Sequence, residues 1–234
     1  MNGYIENLPL VSCIMPTCNR RAFVPHALRY FLRQDYPNKE LIILDDGTDS
    51  IQDLIPGDKE IKYIKLGKKI TLGEKRNLCV CESRGDLIMH WDDDDWYSAN
   101  RLEYQVKTLL NGKTSICGIN QLLYYDLIKK NAYKYVYPRD QRIWLAGSSM
   151  CYTREIWKKY RFEEINIGED GTFIWKIPAN QITVLPVFNT EIHMIHGNNI
   201  SPKKTAGHWW HPAPTDEIRK ILGSDWELYN NYKV

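Results

Sequence analysis

Apolar residues in the N-terminal part of the chain fall in short unbroken runs, separated by polar turns and by stretches of a different period. Val11 to Pro16, Glu40 to Leu44, Ile61 to Leu66 and Asp86 to Trp91 each read as a strand. Leu41 to Leu44 are consecutive aliphatics with no alternation, as expected where both faces of a strand are covered in a parallel sheet. Between the runs the period changes. Val24, Leu28 and Phe31–Leu32 recur at three to four residues, which predicts an amphipathic helix from Ala22 to about Arg33, and a further helix is predicted from about Thr71 to Ser83. This β-α-β-α order predicts an α/β fold, a Rossmann-like and mostly parallel central sheet flanked by helices with right-handed crossovers.

The second half is less regular. A helix is predicted over Asn100 to Leu110, a small antiparallel hairpin over Gln121 to Tyr137 with its turn near Asn131, and a strand over Ser148 to Thr153 leading to a short helix through Trp157. Gly168-Glu169-Asp170-Gly171 reads as an interruption, followed by a helix over Thr172 to Lys176 and strands at Ile182 to Leu185 and Glu191 to His196. Neither a repeat nor a linker is visible. One domain over 1–205 is expected, with a Trp-rich tail, 206–234, packed on it.

Composition narrows the function. Hydrophobic residues make up 43% of the 234 positions and charged residues 26%, which excludes a disordered chain. Lys and Arg number 31 against 29 Asp and Glu, a net charge of +2, so the field that nucleic-acid binding requires is missing. The six cysteines contain no C-x-x-C pair and sit mostly in apolar stretches, which reads as buried thiols in a reducing compartment, the cytoplasm. The apolar runs are far shorter than the ~20 residues of a spanning helix. Trp209, Trp210 and Trp226 fit either a packed cap or a patch for peripheral membrane contact.

Chemistry concentrates where the strands end. In open α/β sheets ligands bind beyond the carboxyl ends of the strands, and Thr17/Asn19/Arg20, Asp45/Asp46 and Asp92 to Asp95 each follow one of the runs. Four adjacent aspartates repel one another, so an ordered site holding them calls for a cation, and hard oxygen ligands suit Mg2+ or Mn2+. Bracketing by Trp91 and Trp96 argues against a merely solvated loop. A side-chain period of two would turn Asp92 and Asp94 to the ion together. Asp45-Asp46-Gly47 is either a plain turn or a carboxylate for a ribose or a base N–H. Arg76 sits either on an exposed helical turn or within reach of a base or phosphates. Glu169-Asp170 is either a loop or the seat of a general base. His193 and His196 read either as core residues or as a further metal ligand.

Taken together, Val11-Ser-Cys-Ile-Met-Pro16-Thr17-Cys18-Asn19-Arg20, Leu41-Ile-Ile-Leu-Asp45-Asp46-Gly47, Arg76-Asn77, Gly85-Asp86-Leu-Ile-Met-His-Trp-Asp92-Asp-Asp94-Asp95-Trp96 and Gly168-Glu169-Asp170 resemble the family 2 glycosyltransferases of GT-A fold, in order, over about residues 8 to 200. The resemblance implies that Pro16, Thr17 and Asn19 line a nucleoside pocket, with Arg20 and Asp93 also on the nucleotide, and that Asp46 and Arg76 contact the base. It implies that Asp92 and Asp94 form the D-x-D element touching ribose, diphosphate and metal, with the register open to Asp93 or Asp95. His196, in His196-Gly-Asn-Asn-Ile-Ser201, would approach the metal or the diphosphate, and Asp170 of the Glu169-Asp170 pair would be the base. The implied activity is a metal-dependent (Mn2+ or Mg2+), inverting transfer of a sugar from a nucleotide-diphosphate donor, UDP favoured, to a hydroxyl of a glycan or other acceptor. A sugar nucleotidyltransferase would want a Gly-rich loop after the first strand, where Pro16-Thr-Cys-Asn-Arg20 has no glycine. A non-catalytic carbohydrate- or ion-binding module leaves Glu169-Asp170 unexplained, and a glycoside hydrolase has no need of a nucleotide pocket.

Overall fold

The computed structural model describes residues 8–186 and 189–232. Residues 1–7 of the expected domain and 233–234 of the tail lie outside the described residues. In chain order the elements are β1 (Val11–Thr17), α1 (Val24–Leu32), β2 (Lys39–Asp45), β3 (Ile61–Lys65), α2 (Leu72–Glu82), β4 (Leu87–His90), β5 (Trp96–Tyr97), α3 (Arg101–Asn111), β6 (Ile116–Gly118), β7 (Gln121–Asp126), β8 (Ala132–Val136), β9 (Cys151–Thr153), α4 (Arg154–Lys159), α5 (Glu169–Lys176), β10 (Ile182–Val184), β11 (Glu191–Ile195), β12 (Trp210–Ala213), α6 (Thr215–Leu222) and α7 (Trp226–Asn230).

The unbroken aliphatic runs do what their pattern requires. All of β1 and nearly all of β2 are buried, and the strands pair in parallel within a seven-stranded sheet ordered β10-β6-β9-β4-β1-β2-β3. Val11, Met15, Leu41 and Ile43 pack into the larger core cluster, while Ile14, Ile42, Leu44 and Ile88 pack into the smaller one, so the sheet has a core on each face. Thr71 caps α2 by accepting from the Glu74 amide at 3.2 Å. Strand order reverses between β1 and β4, which makes that gap the switch point where an open α/β sheet leaves a crevice.

Two departures from the sequence reading matter for the site. β9 runs antiparallel to both β4 and β6 and is preceded by a 3-10 turn at Gly147–Ser149, so of the expected strand over Ser148 to Thr153 only Cys151–Thr153 forms. α5 begins at Glu169, not Thr172: Gly168, at φ 86°, takes the left-handed conformation that glycine adopts at low cost, and Glu169 and Asp170 form the first turn. Carboxylates there complement the positive end of the helix.

The smaller sheet is ordered β12-β8-β7-β11-β5. β12 adds its edge, and Asp225 secures the segment beyond it by accepting from Arg29, Arg33 and the Trp96 indole at 2.6, 2.6 and 2.7 Å. Trp226 is buried, Trp210 half-buried and Trp209 exposed. No helix among the described residues is long and apolar enough to cross a membrane. Cys13, Cys79, Cys117 and Cys151 are buried, but Cys81 is exposed and Cys18 half-buried.

Candidate active site

The ends of β1, α2, the loop after β4, α5 and β11 enclose a cleft of about 1070 Å3. It opens at the switch point, and its floor is tied across that point by Thr17, whose hydroxyl donates to Asp93 Oδ2 at 2.5 Å. Pro16, Thr17, Asn19, Arg20, Arg76, Asp92 to Asp95, Glu169 and Asp170 all line it. Asn19 adopts φ 54°, a region Asn tolerates, and its Oδ1 accepts from the amides of Thr48 and Asp49 at 2.8 and 3.0 Å, holding the loop after β2 against the end of β1.

The four aspartates fan out. Asp93 goes to Thr17, and Asp95 accepts from the Met194 amide at 3.0 Å and lies 2.7 Å from His193 Nδ1, so both are anchored and buried. Asp92 and Asp94 are the more open pair, with side chains 31% and 14% exposed. Alternation therefore survives in burial, although the aspartates lie in a loop and not in a strand. Asp92 faces Arg76 at 3.7 Å, while Asp94 meets His196 Nε2 at 2.9 Å with Arg20 at 3.8 Å. Arg20 also donates to the Asn198 carbonyl, fixing the chain after β11.

Burial pushes Asp92 up to about 6, eased by the Arg76 charge and worsened by Asp95 and Asp94. Burial and neighbouring carboxylates likewise raise Asp93 and Asp95, although Arg20 and His193 oppose the shifts. The loop is short of positive charge, which fits a divalent cation. Among the described residues, however, no group of three His, Cys, Asp or Glu side chains is arranged to hold one. Asp92, Asp94 and His196 are thus not gathered into a cage: Asp94 and His196 meet, and Asp92 turns to Arg76. Such a donor set suits an ion that takes one or two carboxylates and fills its shell from phosphates and water.

Across the cleft, Arg76 Nε lies 3.2 Å from Glu169 Oε1, so one buried guanidinium joins the acidic loop to α5. It is occupied by carboxylates and does not project freely toward a base. Burial raises the Glu169 carboxyl above its usual range, with Arg76 opposing and Asp170 adding. Asp170 lines the cleft beside Gly147, where a Cβ would come within 2.6 Å of Asp170 Oδ2. The Gly147 carbonyl accepts from His90 Nδ1 at 2.5 Å, and burial together with the Arg76 charge holds that imidazole neutral.

Asp46 departs most from the sequence reading. Its side chain is wholly buried and absent from the cleft wall, with Oδ1 2.9 Å from Lys75 Nζ and Oδ2 accepting from the Ile70 amide at 3.0 Å. Lys75, unweighed in the sequence, is the cation that fixes it. Gly147 also escaped notice, since a glycine in Ala146-Gly147-Ser148-Ser149 carries no signal until Asp170 is seen against it. His193 joins a buried chain, 3.4 Å from Glu191, which in turn lies 3.4 Å from Arg101. Its Nδ1 is 2.7 Å from Asp95, so its ring is committed to that chain.

The fold is that of the GT-A glycosyltransferases. Residues 1–349 of TarS from S. aureus, solved in complex with UDP-GlcNAc, match with TM-score 0.67 at 16% identity, over 96% of this chain and 73% of that one. The mannosyltransferase PcManGT from Pyrobaculum calidifontis, in complex with GDP-Man and Mn2+, matches with TM-score 0.64 at 17% identity, over 85% of this chain and 59% of that one. The chain belongs to glycosyl transferase family 2, whose model matches residues 12–172. An uncharacterized glycosyltransferase of Haemophilus influenzae is 30% identical over 181 residues, 71% of each chain.

Proposed function

We propose that this chain transfers a sugar from a UDP-sugar to a hydroxyl acceptor, with inversion at the anomeric carbon and with Asp170 as the base. The observation that carries the reading is the Arg76 bridge, 3.7 Å from Asp92 and 3.2 Å from Glu169, which sets a diphosphate end and a carboxylate pair on one cleft. The nucleoside lies along Pro16 to Asn19. Arg20, which meets Asp94, presents N–H groups to the diphosphate. Mn2+ or Mg2+ held by Asp94, with Asp92 and His196 adjacent, would neutralise charge on the leaving diphosphate. Asp170 accepts the proton of the acceptor hydroxyl as its oxygen attacks, and one displacement inverts the centre. Choice of UDP over GDP is supported by the TarS complex and opposed by the PcManGT one. The unpaired thiols fit work in the cytoplasm.

Two measurements test this. A thermal-shift panel of UDP, GDP and their sugars, with Mn2+ and with chelator, should show the largest stabilisation for a UDP ligand plus metal. Asp170→Asn should lower transfer by ~10²–10⁴-fold at nearly constant donor affinity. Glu169→Gln is expected to cost less. Parental rates in both variants, where chemistry limits turnover, would remove Asp170 from the mechanism.

A further inference from the structure

The cleft continues past Asp170 into a wall that the donor reading does not use. Tyr124 of β7, Tyr135 of β8, Trp210 of β12 and Trp144 of the loop before Gly147 all line it. These rings support one another: Tyr135 lies 5.8 Å from Trp144 and 5.2 Å from Trp210, and Trp210 lies 4.7 Å from Tyr124. Three of them, Tyr135, Trp144 and Trp210, are only half-buried, so their faces are not consumed by the core. Burial first, then the Asp95 charge and more weakly that of Asp170, push the Tyr124 phenol well above its usual range. The wall therefore stands within electrostatic reach of both the acidic loop and the base. Ser201 and Lys203 line the same cleft, Lys203 Nζ lying 6.0 Å from the Tyr124 ring centre, and offer polar partners beside the rings.

We propose that this aromatic wall, centred on Trp144 and Tyr135, is the acceptor subsite, and that the acceptor is a pyranoside stacked by its C–H face on these rings. This rests on the donor reading above. A pyranose matches a surface of both characters: its axial C–H bonds face a ring, while its equatorial hydroxyls need partners at the ring edge. An acyl chain would cover the Lys203 ammonium and the Asp170 carboxylate without offering either a hydrogen bond. Trp144 and Asp170 line the same cleft, and Gly147, three residues after Trp144, lies against Asp170, so a sugar on the indole shares the cleft with that carboxylate.

The test is saturation-transfer NMR with methyl hexopyranosides of the gluco, galacto and N-acetylglucosamine series, each with UDP and diamagnetic Mg2+ present. At least one glycoside should receive saturation on the ring protons of one face. Trp144→Leu and Tyr135→Leu should each weaken its binding about tenfold, Trp144→Phe should retain most of it, and the UDP signal should persist in all three. A glycoside signal undiminished in both Leu variants overturns the assignment, as does the absence of any glycoside signal while UDP is saturated. Absence of the UDP signal itself in the parent protein overturns the donor reading, and the subsite with it.

Discussion

Asp46→Ala separates a residue that touches the nucleotide from one that holds the cleft wall. In the structure the Asp46 and Lys75 side chains are 0% and 5% exposed and lie 2.9 Å apart. Truncation leaves the Lys75 ammonium buried with only the Thr17 carbonyl, at 3.4 Å, and strips the Ile70 amide of its acceptor. Breaking a buried pair from one side costs ~3–5 kcal/mol. Against a total of ~5–15 kcal/mol this is large. It is read as a lower urea midpoint at unchanged slope. Asp46→Ala combined with Lys75→Met should recover most of the loss, since no lone charge remains. Burial alone would raise the Asp46 carboxyl, but Lys75 and the Ile70 amide outweigh it and hold it below its usual range. A depressed carboxyl stabilises the fold above its unfolded value of ~3.9 and loses that contribution as pH falls through the folded one. The gap between parent and variant should therefore stay level from about pH 5 to 7 and narrow only below about pH 4. A variant within ~1 kcal/mol of the parent that nonetheless binds UDP poorly would refute the reasoning and return Asp46 to the nucleotide.

Gly147→Ala should lower transfer at least about tenfold while the UDP thermal shift stays parental, because its Cβ would press to 2.6 Å from Asp170 Oδ2 and displace the carboxylate; equal rates would show the base elsewhere. Asp94→Ala should abolish the metal-dependent part of UDP binding and lower the apoprotein melting temperature, since it leaves His196 without its acceptor and Arg20 without that charge partner; a UDP thermal shift insensitive to both chelator and this substitution would sink the metal assignment. A thiol reagent at pH 8 should label Cys81 rapidly and Cys18 slowly. The remaining thiols should react only on unfolding, as burial pushes Cys13 and Cys79 up to about 12; rapid labelling of Cys13 or Cys79 in the native protein would contradict the packing.

What was legible in the sequence was what depends on pattern within one strand or at its end. Leu41 to Leu44 announced a strand covered on both faces, and the polar residues after β1 and β4 announced a shared rim, because strand direction alone puts them there. The alternation of Asp92 and Asp94 against Asp93 and Asp95 also survived, because Thr17 and His193 each reach inward for one buried carboxylate. What was hidden depends on pairs distant in sequence. β9 is antiparallel because the chain returns through the Gly147–Ser149 turn, and three residues carry no sign of their direction. Asp46 looked like a ligand until Lys75 stood beside it, and Glu169-Asp170 looked like a loop because two flanking glycines outweighed, on local propensity, a helix whose start is set by Gly168 and whose face is set by Phe173 and Ile174 in the core.

The acidic loop is held from four directions, and this explains how a run of like charges is ordered before any ligand arrives. Asp93 is tied to the end of β1, Asp95 to β11, Asp94 to the chain just beyond β11, and Asp92 through Arg76 to α2 and α5. Trp96, next along the loop, donates to Asp225, which also gathers Arg29 and Arg33 from α1 and its end. Each tie satisfies one carboxylate while leaving Asp92 and Asp94 partly exposed; burial and like charge still raise Asp92, Asp93 and Asp95, whereas His196 and Arg20 outweigh burial at Asp94 and hold it below its usual range. Desolvation and mutual charge raise Asp92 against the opposing charges of Arg76, which is shared with Glu169, and of His193, which is engaged with Asp95. The loop is thus pre-organised by the fold and left electrostatically incomplete on the cleft that Asp170 also lines; a cation and a diphosphate entering there would meet carboxylates already in place, at little reorganisation cost.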